Sequence, residues 1–183
     1  IDNKKFYFLE MNTRIQVEHP VTEAVTNFDL VAMQIKFALN MSIDTIEQSK
    51  INKSGHAIEC RLYAEDPTKN FLPSPGKISK LKIPNTGLHN IRLDIGVDEG
   101  DEISFYYDPM IAKIISKGAT RTECINNMIQ YLNELELEGI NTNKSFLISV
   151  LQNESFENAI YNTKFIENLS LIHISEPTRR RGI

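Results

Sequence analysis

The sequence predicts an α+β fold, an antiparallel or mixed sheet with flanking helices. Three observations predict it. Residues 55–65 alternate apolar and polar side chains with a period of two. Further short strand-like runs, separated by turn residues, follow as far as residue 116. From Thr120 the apolar period changes to steps of three and four, the signature of an amphipathic helix. The chain has 183 residues, 41% of them hydrophobic and 24% charged, enough for a sizeable core under a charged surface.

Taken in order, residues 5–11 form a short, aromatic apolar run that reads as a buried strand. Residues 12–20 are polar and have no clean period. A helical region in two pieces follows Pro20, with Asp29 as N-cap of the second piece. Leu30, Met33, Phe37 and Met41 then share one face, and the pattern ends near Asn40. Residues 44–54 are polar and connective. In the strand after Gly55, His56, Ile58, Cys60, Leu62 and Ala64 form the apolar face, opposite Glu59, Arg61 and Tyr63. Pro73-Ser74-Pro75-Gly76 is turn chemistry, residues 77–83 read as the next strand, and 91–93 and 111–116 as two more. Thr120-Arg121-Thr122-Glu123 is a capping box that starts a helix expected to stop at Gly139. A second helix over about 143–152 carries Phe146, Leu147, Val150 and Leu151.

Composition excludes some classes of function. Twenty basic and twenty-four acidic side chains give a net charge of −4, so no basic field points to nucleic acid. No apolar run approaches the roughly 20 residues of a membrane helix. The two cysteines, Cys60 and Cys124, cannot build a disulfide framework and suit a reducing compartment, the cytoplasm or, in a eukaryote, the mitochondrial matrix. The opening Ile-Asp-Asn-Lys-Lys has neither Met nor a signal-peptide core and reads as the interior of a longer chain.

Chemistry-bearing residues concentrate between Glu10 and Pro20. Glu10 and Asn12, two apart at a strand end, can point to one side and offer the hard oxygen ligands Mg²⁺ accepts beside phosphates. The forked donors of Arg14 suit a small oxyanion, and Glu18 can serve as a base if its surroundings tune it. A polar loop with ordinary surface ion pairs explains the same residues without chemistry. His19, before Pro20, reads as a structural or capping histidine, and His56 and Cys60 read as core.

The string FLEMNTRIQVEHPVTEA resembles the signature of biotin carboxylases, the ATP-grasp subunits or domains of biotin-dependent carboxylases. GHAIECRLYAEDP, FLPSPGKI, YYDPMIAKII and the RTECINNM helix follow in the family's order, so the resemblance runs from Phe6 to about Asn168. It implies that residues 1–50 are the C-terminal end of an ATP-grasp domain and 51–168 the biotin carboxylase C-terminal domain. Residues 169–183, with a proline and three consecutive arginines, resemble translated adapter read-through and are set apart as a tail.

The implied reaction is ATP- and bicarbonate-dependent carboxylation of biotin on a carrier protein, by way of carboxyphosphate. The implied cofactors are ATP, Mg²⁺ (or Mn²⁺) and biotin. By resemblance Glu10 binds the metal, and Asn12 belongs to the same metal and phosphate shell. Arg14 contacts bicarbonate, while Gln16 and the backbone of Val17 line the bicarbonate site. Glu18 is the base that deprotonates bicarbonate, and Arg61 stabilises the biotin enolate oxygen. A guanidinium that keeps its charge suits that last task. Tyr106-Tyr107-Asp108-Pro109 is a family motif to which no catalytic role is given.

Implied partners are a biotin carboxyl carrier domain or protein, a carboxyltransferase subunit and bicarbonate, in an oligomeric assembly. The forms RLYAEDPTKNFLPSPG and EISFYYDPMIAKII look more like α-subunits of propionyl-CoA or related acyl-CoA carboxylases than a stand-alone acetyl-CoA carboxylase subunit. A truncated, non-catalytic partner of a carboxylase is the other alternative. Other ATP-grasp ligases, of the carbamoyl-phosphate or purine type, should lack RIQVEHP and ECRLYAEDP, and both strings are here. The family's glycine-rich lid and phosphate-binding lysines are expected upstream of Glu10. The polypeptide alone is therefore expected to show no bicarbonate-dependent ATPase activity. A phosphate-release assay showing turnover above a Glu10→Gln control contradicts this.

Overall fold

A proline and two side-chain caps shape the start of the computed structural model, which describes residues 7–42 and 47–169. Pro20 lies in the first turn of α1 (His19–Thr26), where its missing N–H costs nothing. Asn27, at φ 60°, closes α1. Asp29 then accepts from the Ala32 N–H at 2.7 Å and starts α2 (Leu30–Ala38). The expected two-piece helix is thus formed, with Asp29 as its second cap.

The strands that follow are β1 (His56–Tyr63), β2 (Glu65–Asp66), β3 (Leu72–Pro73), β4 (Gly76–Lys77), β5 (Lys80–Lys82), β6 (Ile91–Ile95), β7 (Glu102–Ile103) and β8 (Met110–Gly118). Helix α3 (Arg121–Glu134), strand β9 (Glu136–Glu138) and helices α4 (Lys144–Leu151) and α5 (Glu154–Glu157) complete the order. All pairing is antiparallel. The main sheet has the order β1-β8-β6, and β2-β3, β4-β7 and β5-β9 form two-stranded pairs.

The period of two in β1 sends Ile58, Cys60 and Leu62 to one face, where they meet Cys124, Ile125, Met128 and Leu132 of α3 in the core. Thr120 caps α3 by accepting from the Glu123 N–H at 3.1 Å. The Glu123 carboxylate reaches back to the Ala119 N–H at 2.8 Å rather than to Thr120, a one-residue variant of the expected box. A second cluster gathers Phe146, Val150 and Leu169 against Phe71 and Phe165. Leu169, expected to begin the tail, is buried and belongs to this folded unit. No helix among the described residues is long and apolar enough to cross a membrane.

Four further expectations need correction. Residues 7–11 are not a buried strand: Tyr7, Phe8 and Leu9 are 81–90% exposed. A strand needs a neighbour for its N–H and C=O groups, and no described strand pairs with this segment. Residues 77–83 are not one strand, because the chain changes partners, pairing through β4 with β7 and through β5 with β9. Helix α3 ends at Glu134, five residues before Gly139, because Leu135 turns extended and leads into β9, which pairs with β5. His56 opens β1 and is exposed rather than core. Lys5 and Phe6 of the first run, residues 44–46 of the connective stretch and tail residues 170–183 lie outside the described residues.

Gly139 instead turns the chain after β9. Its φ is +102°, and a Cβ there would collide with the Lys77 carbonyl oxygen. Gly139→Ala is expected to cost about 2–4 kcal/mol of stability. Gly96→Ala, where a Cβ meets nothing within 4 Å, should stay within about 1 kcal/mol. Urea unfolding of both variants checks this, and equal midpoints would contradict it.

Candidate active site

The face of the main sheet opposite α3 is polar and partly covered, because α1 lies over it. Register makes it a grid. Arg61 of β1, Lys113 of β8 and Asp94 of β6 form one row, and Glu59, Ile115 and Arg92 form the row beside it. Helix α1 ties into this grid through Glu23, whose buried carboxylate accepts from Arg92 at 2.6 Å and from the Leu30 N–H at 2.7 Å. Arg92 also grips Asp94 with two nitrogens, at 2.8 and 3.0 Å. Burial pushes the Asp94 carboxyl up, but Arg92 and then Lys113 outweigh it and hold the group below its ordinary range.

Ahead of α1, Glu18 lies beside the first row. Its carboxylate accepts from Arg61 Nη2 at 2.8 Å across 43 residues of sequence. Glu18 and Arg61 are 55% and 37% exposed, so the pair adds at most about 1 kcal/mol to stability and stays open to a small substrate. On its other side Arg61 donates through Nε to Glu59 at 3.3 Å, and the Glu59 side chain is only 4% exposed. Burial pushes the Glu59 carboxyl up, and Arg61 and Lys113 offset only part of that. For Arg61 burial works against the charge, but Glu59 and Tyr63 more than reverse it.

The segment before α1 is held from two sides. His19 contacts the Gln16 carbonyl through Nδ1 at 2.9 Å, a structural contact within the segment rather than a helix cap. Lys113 reaches from Asp94, at 3.4 Å, to the Val17 carbonyl, at 3.5 Å. Arg14, Gln16 and Glu18 border an open groove of about 760 Å³, closed on the far side by Leu30, Met33 and Phe37 of α2.

Of the residues singled out from the sequence, Glu18 and Arg61 are therefore in direct contact. Arg14 and Gln16 share a groove with Glu18, and Val17 is reached through its backbone. Glu10 and Asn12 stand apart in the exposed extended segment rather than at the end of a buried strand. Their oxygens suit Mg²⁺, which commonly keeps water and phosphate ligands of its own. Among the described residues no group of three or more His, Cys, Asp or Glu gathers to hold a metal unaided. Cys60 is core as expected, its thiol pushed up to about 12 by burial and so kept from reacting.

Sequence reasoning missed three contributors. Lys113 and Glu59 were legible only as alternating residues of their strands. Asn143 gave no signal, yet its side chain accepts from the Tyr63 N–H at 2.9 Å and donates to the Arg61 carbonyl at 3.1 Å. It replaces ladder partners on the open edge of β1, beside the arginine.

A carboxylate from the polar segment thus meets a strand-borne arginine beside the groove. Comparisons with known proteins give the class. The Biotin carboxylase C-terminal domain family matches residues 59–168, and the family described as Carbamoyl-phosphate synthase L chain, ATP binding domain matches residues 1–46. The chain belongs to the biotin carboxylase family.

It is 47% identical to biotin carboxylase 1 of Bacillus subtilis over 93% of its own length and 37% of that protein's. It is 44% identical to the human mitochondrial propionyl-CoA carboxylase alpha chain, over 92% of this chain and 23% of that one. Among solved structures it resembles the biotin carboxylase domain of Hydrogenobacter thermophilus 2-oxoglutarate carboxylase, crystallised with MgADP, ADP and bicarbonate. That match has a TM-score of 0.86 and 37% identity, over 94% of this chain and 37% of that one. The chain thus spans well under half the length of these relatives.

The raised Glu59 carboxyl has a consequence for stability. An acid raised from its ordinary 4.5 binds its proton more tightly in the folded chain than in the unfolded one. Its stabilising contribution is complete below the unfolded value and is lost as pH rises through the folded value. Glu59→Gln keeps an oxygen for Arg61 and drops the charge, so it is expected to raise the melting temperature at pH 7 by about 2–4 °C. The gain should vanish near pH 4. Thermal unfolding at both pH values checks this, and a lowered midpoint at pH 7 would contradict it.

Proposed function

We propose that this chain forms the bicarbonate and biotin end of a biotin carboxylase, which carboxylates carrier-bound biotin with ATP and bicarbonate. The observation that carries this reading is the Glu18–Arg61 contact, which joins the base expected for bicarbonate to the cation expected for biotin. Residues 1–50 are read as the end of the ATP-grasp domain and 51–168 as the C-terminal domain, a division the two matched segments support.

In this reading Arg14 holds the bicarbonate oxyanion, with Gln16 and the Val17 backbone fixing its orientation. Glu18 takes the bicarbonate proton, leaving the anion a stronger nucleophile toward the γ-phosphate. The phosphoryl transfer asks for alignment and charge neutralisation rather than a covalent protein group. Glu10 and Asn12 would hold Mg²⁺, which neutralises phosphate charge when bound. Carboxyphosphate breaks down to CO₂ and phosphate, and the phosphate takes the ureido N–H proton of biotin. Arg61 faces the negative charge that grows on the ureido oxygen before the nitrogen attacks CO₂. The partners follow from the reaction: a biotin carrier, a carboxyltransferase and an oligomeric carboxylase around them. The motif forms favour an acyl-CoA carboxylase of the propionyl-CoA kind.

The test is a chimera in which this chain replaces the matching part of the Bacillus subtilis biotin carboxylase 1. The chimera should hydrolyse ATP in a bicarbonate-dependent way and carboxylate biotin. Arg61→Ala is expected to cut biotin carboxylation about 100-fold or more and ATP hydrolysis by less than about tenfold. Glu18→Ala should depress both. Equal loss of the two activities in the Arg61 variant removes its assignment to biotin, and a chimera that melts cooperatively without either activity overturns the reading.

A further inference from the structure

Arg61 is held by two carboxylates that differ in kind. Glu18 reaches Nη2 from an exposed position ahead of a helix, whereas Glu59 reaches Nε from beneath, two residues away on the same rigid strand. In the proposed reaction Glu18 accepts a proton from bicarbonate. Once neutral, it no longer pairs electrostatically with Arg61. This happens before the guanidinium is needed at biotin, so an arginine held by Glu18 alone would be released at the wrong moment.

Glu59 has no such duty and little freedom to move. Its Oε2 is buried without a hydrogen-bond partner in the protein, an arrangement unfavourable to folding. A charge kept there at a cost to stability calls for another reason. The groups around it are Arg61 and Tyr63 on its own strand face, Lys113 of β8, Asp94 and Arg92 of β6, and Glu18. Among the charged groups, Arg61 is the one it hydrogen-bonds.

We propose that Glu59 is a positioning residue, the fixed anchor that keeps the Arg61 guanidinium aimed into the site while Glu18 lets go to handle bicarbonate. This rests on the biotin carboxylase reading of Glu18 and Arg61. The anchor works in the plane of the guanidinium. With Nε pinned, the Nη groups can change partner from the Glu18 carboxylate to the substrate oxygen with little movement of the stem. Precise aim of this kind commonly contributes one to two orders of magnitude in rate.

Two measurements test it. In the ¹⁵N-labelled 183-residue chain, hydrogen exchange at Arg61 Nε–H should be at least about tenfold slower than at the exposed Arg14. That protection should survive Glu18→Gln and be largely lost in Glu59→Ala, which leaves no acceptor at this position. In the chimera, Glu59→Ala should lower the ratio of carboxybiotin formed to ATP hydrolysed about tenfold, whereas a purely structural role would lower both and leave the ratio alone. Protection that depends on Glu18, or an unchanged ratio, overturns the anchor. If the ratio also fails to move in Arg61→Ala, the reading of Arg61 itself has failed. If it falls there but not in Glu59→Ala, only the anchor has.

Discussion

Two cations stand side by side on the main sheet, one on its edge strand β1 and one on the central β8. Arg61 and Lys113 are directly paired across β1 and β8, with side chains on one face, an arrangement that repels. The rest of this side of the molecule answers that constraint. Asp94 completes the row beyond Lys113, Glu59 lies beside Arg61 along the strand, and Glu18 arrives from the segment before α1. Because Lys113 also reaches the Val17 carbonyl, the charges that balance the sheet are the same contacts that place the polar segment. The candidate site is in this sense a by-product of neutralising one sheet face.

Helix α1 turns that balance into structure. Its Glu23 spans the Arg92 guanidinium and the first free N–H of α2, so one buried carboxylate fixes a helix to the sheet and sets where the next helix begins. Removing Arg92 would leave the buried Glu23 carboxylate without its cation, which costs far more than the pair contributes. The groove bounded by Glu18 and α2 therefore has one firm wall. Its rim at Arg14 and Ile15 is exposed.

Local rules made most of the elements legible in the sequence. The alternation of Ile58, Cys60 and Leu62, the Asp29 cap and the start of α3 at Thr120 depend on neighbours within a few residues, and each appears as read. The misreadings have long-range causes. Gly139 looked like a helix stop, but β5 draws residues 136–138 into a strand first. Glu59 looked like a solvated strand residue because nothing in the sequence says that α1 covers that face. The roles of Arg61 and Glu18 came from resemblance. Their contact, 43 residues apart, came only from the fold.

The position of Arg61 in its strand explains how such a contact can be precise. It is one step from the bulge that shifts the β1–β8 register between Leu62 and Tyr63, on the edge where β1 has no further strand beside it. An edge next to a bulge is a place where backbone direction is easily lost. Asn143 prevents this by giving the edge two donors and an acceptor, bonding Arg61 and Tyr63 with its side chain and meeting the Tyr63 carbonyl with its own N–H at 3.2 Å. The bulge then frees the chain to turn toward β2, while the arginine stays in register with Lys113. A slip by one residue would put the Cys60 thiol in the charged row and bury the guanidinium under α3. The register of Arg61 thus depends on a buried amide at the head of α4, about 80 residues later in the chain, that bonds only the backbone of the strand.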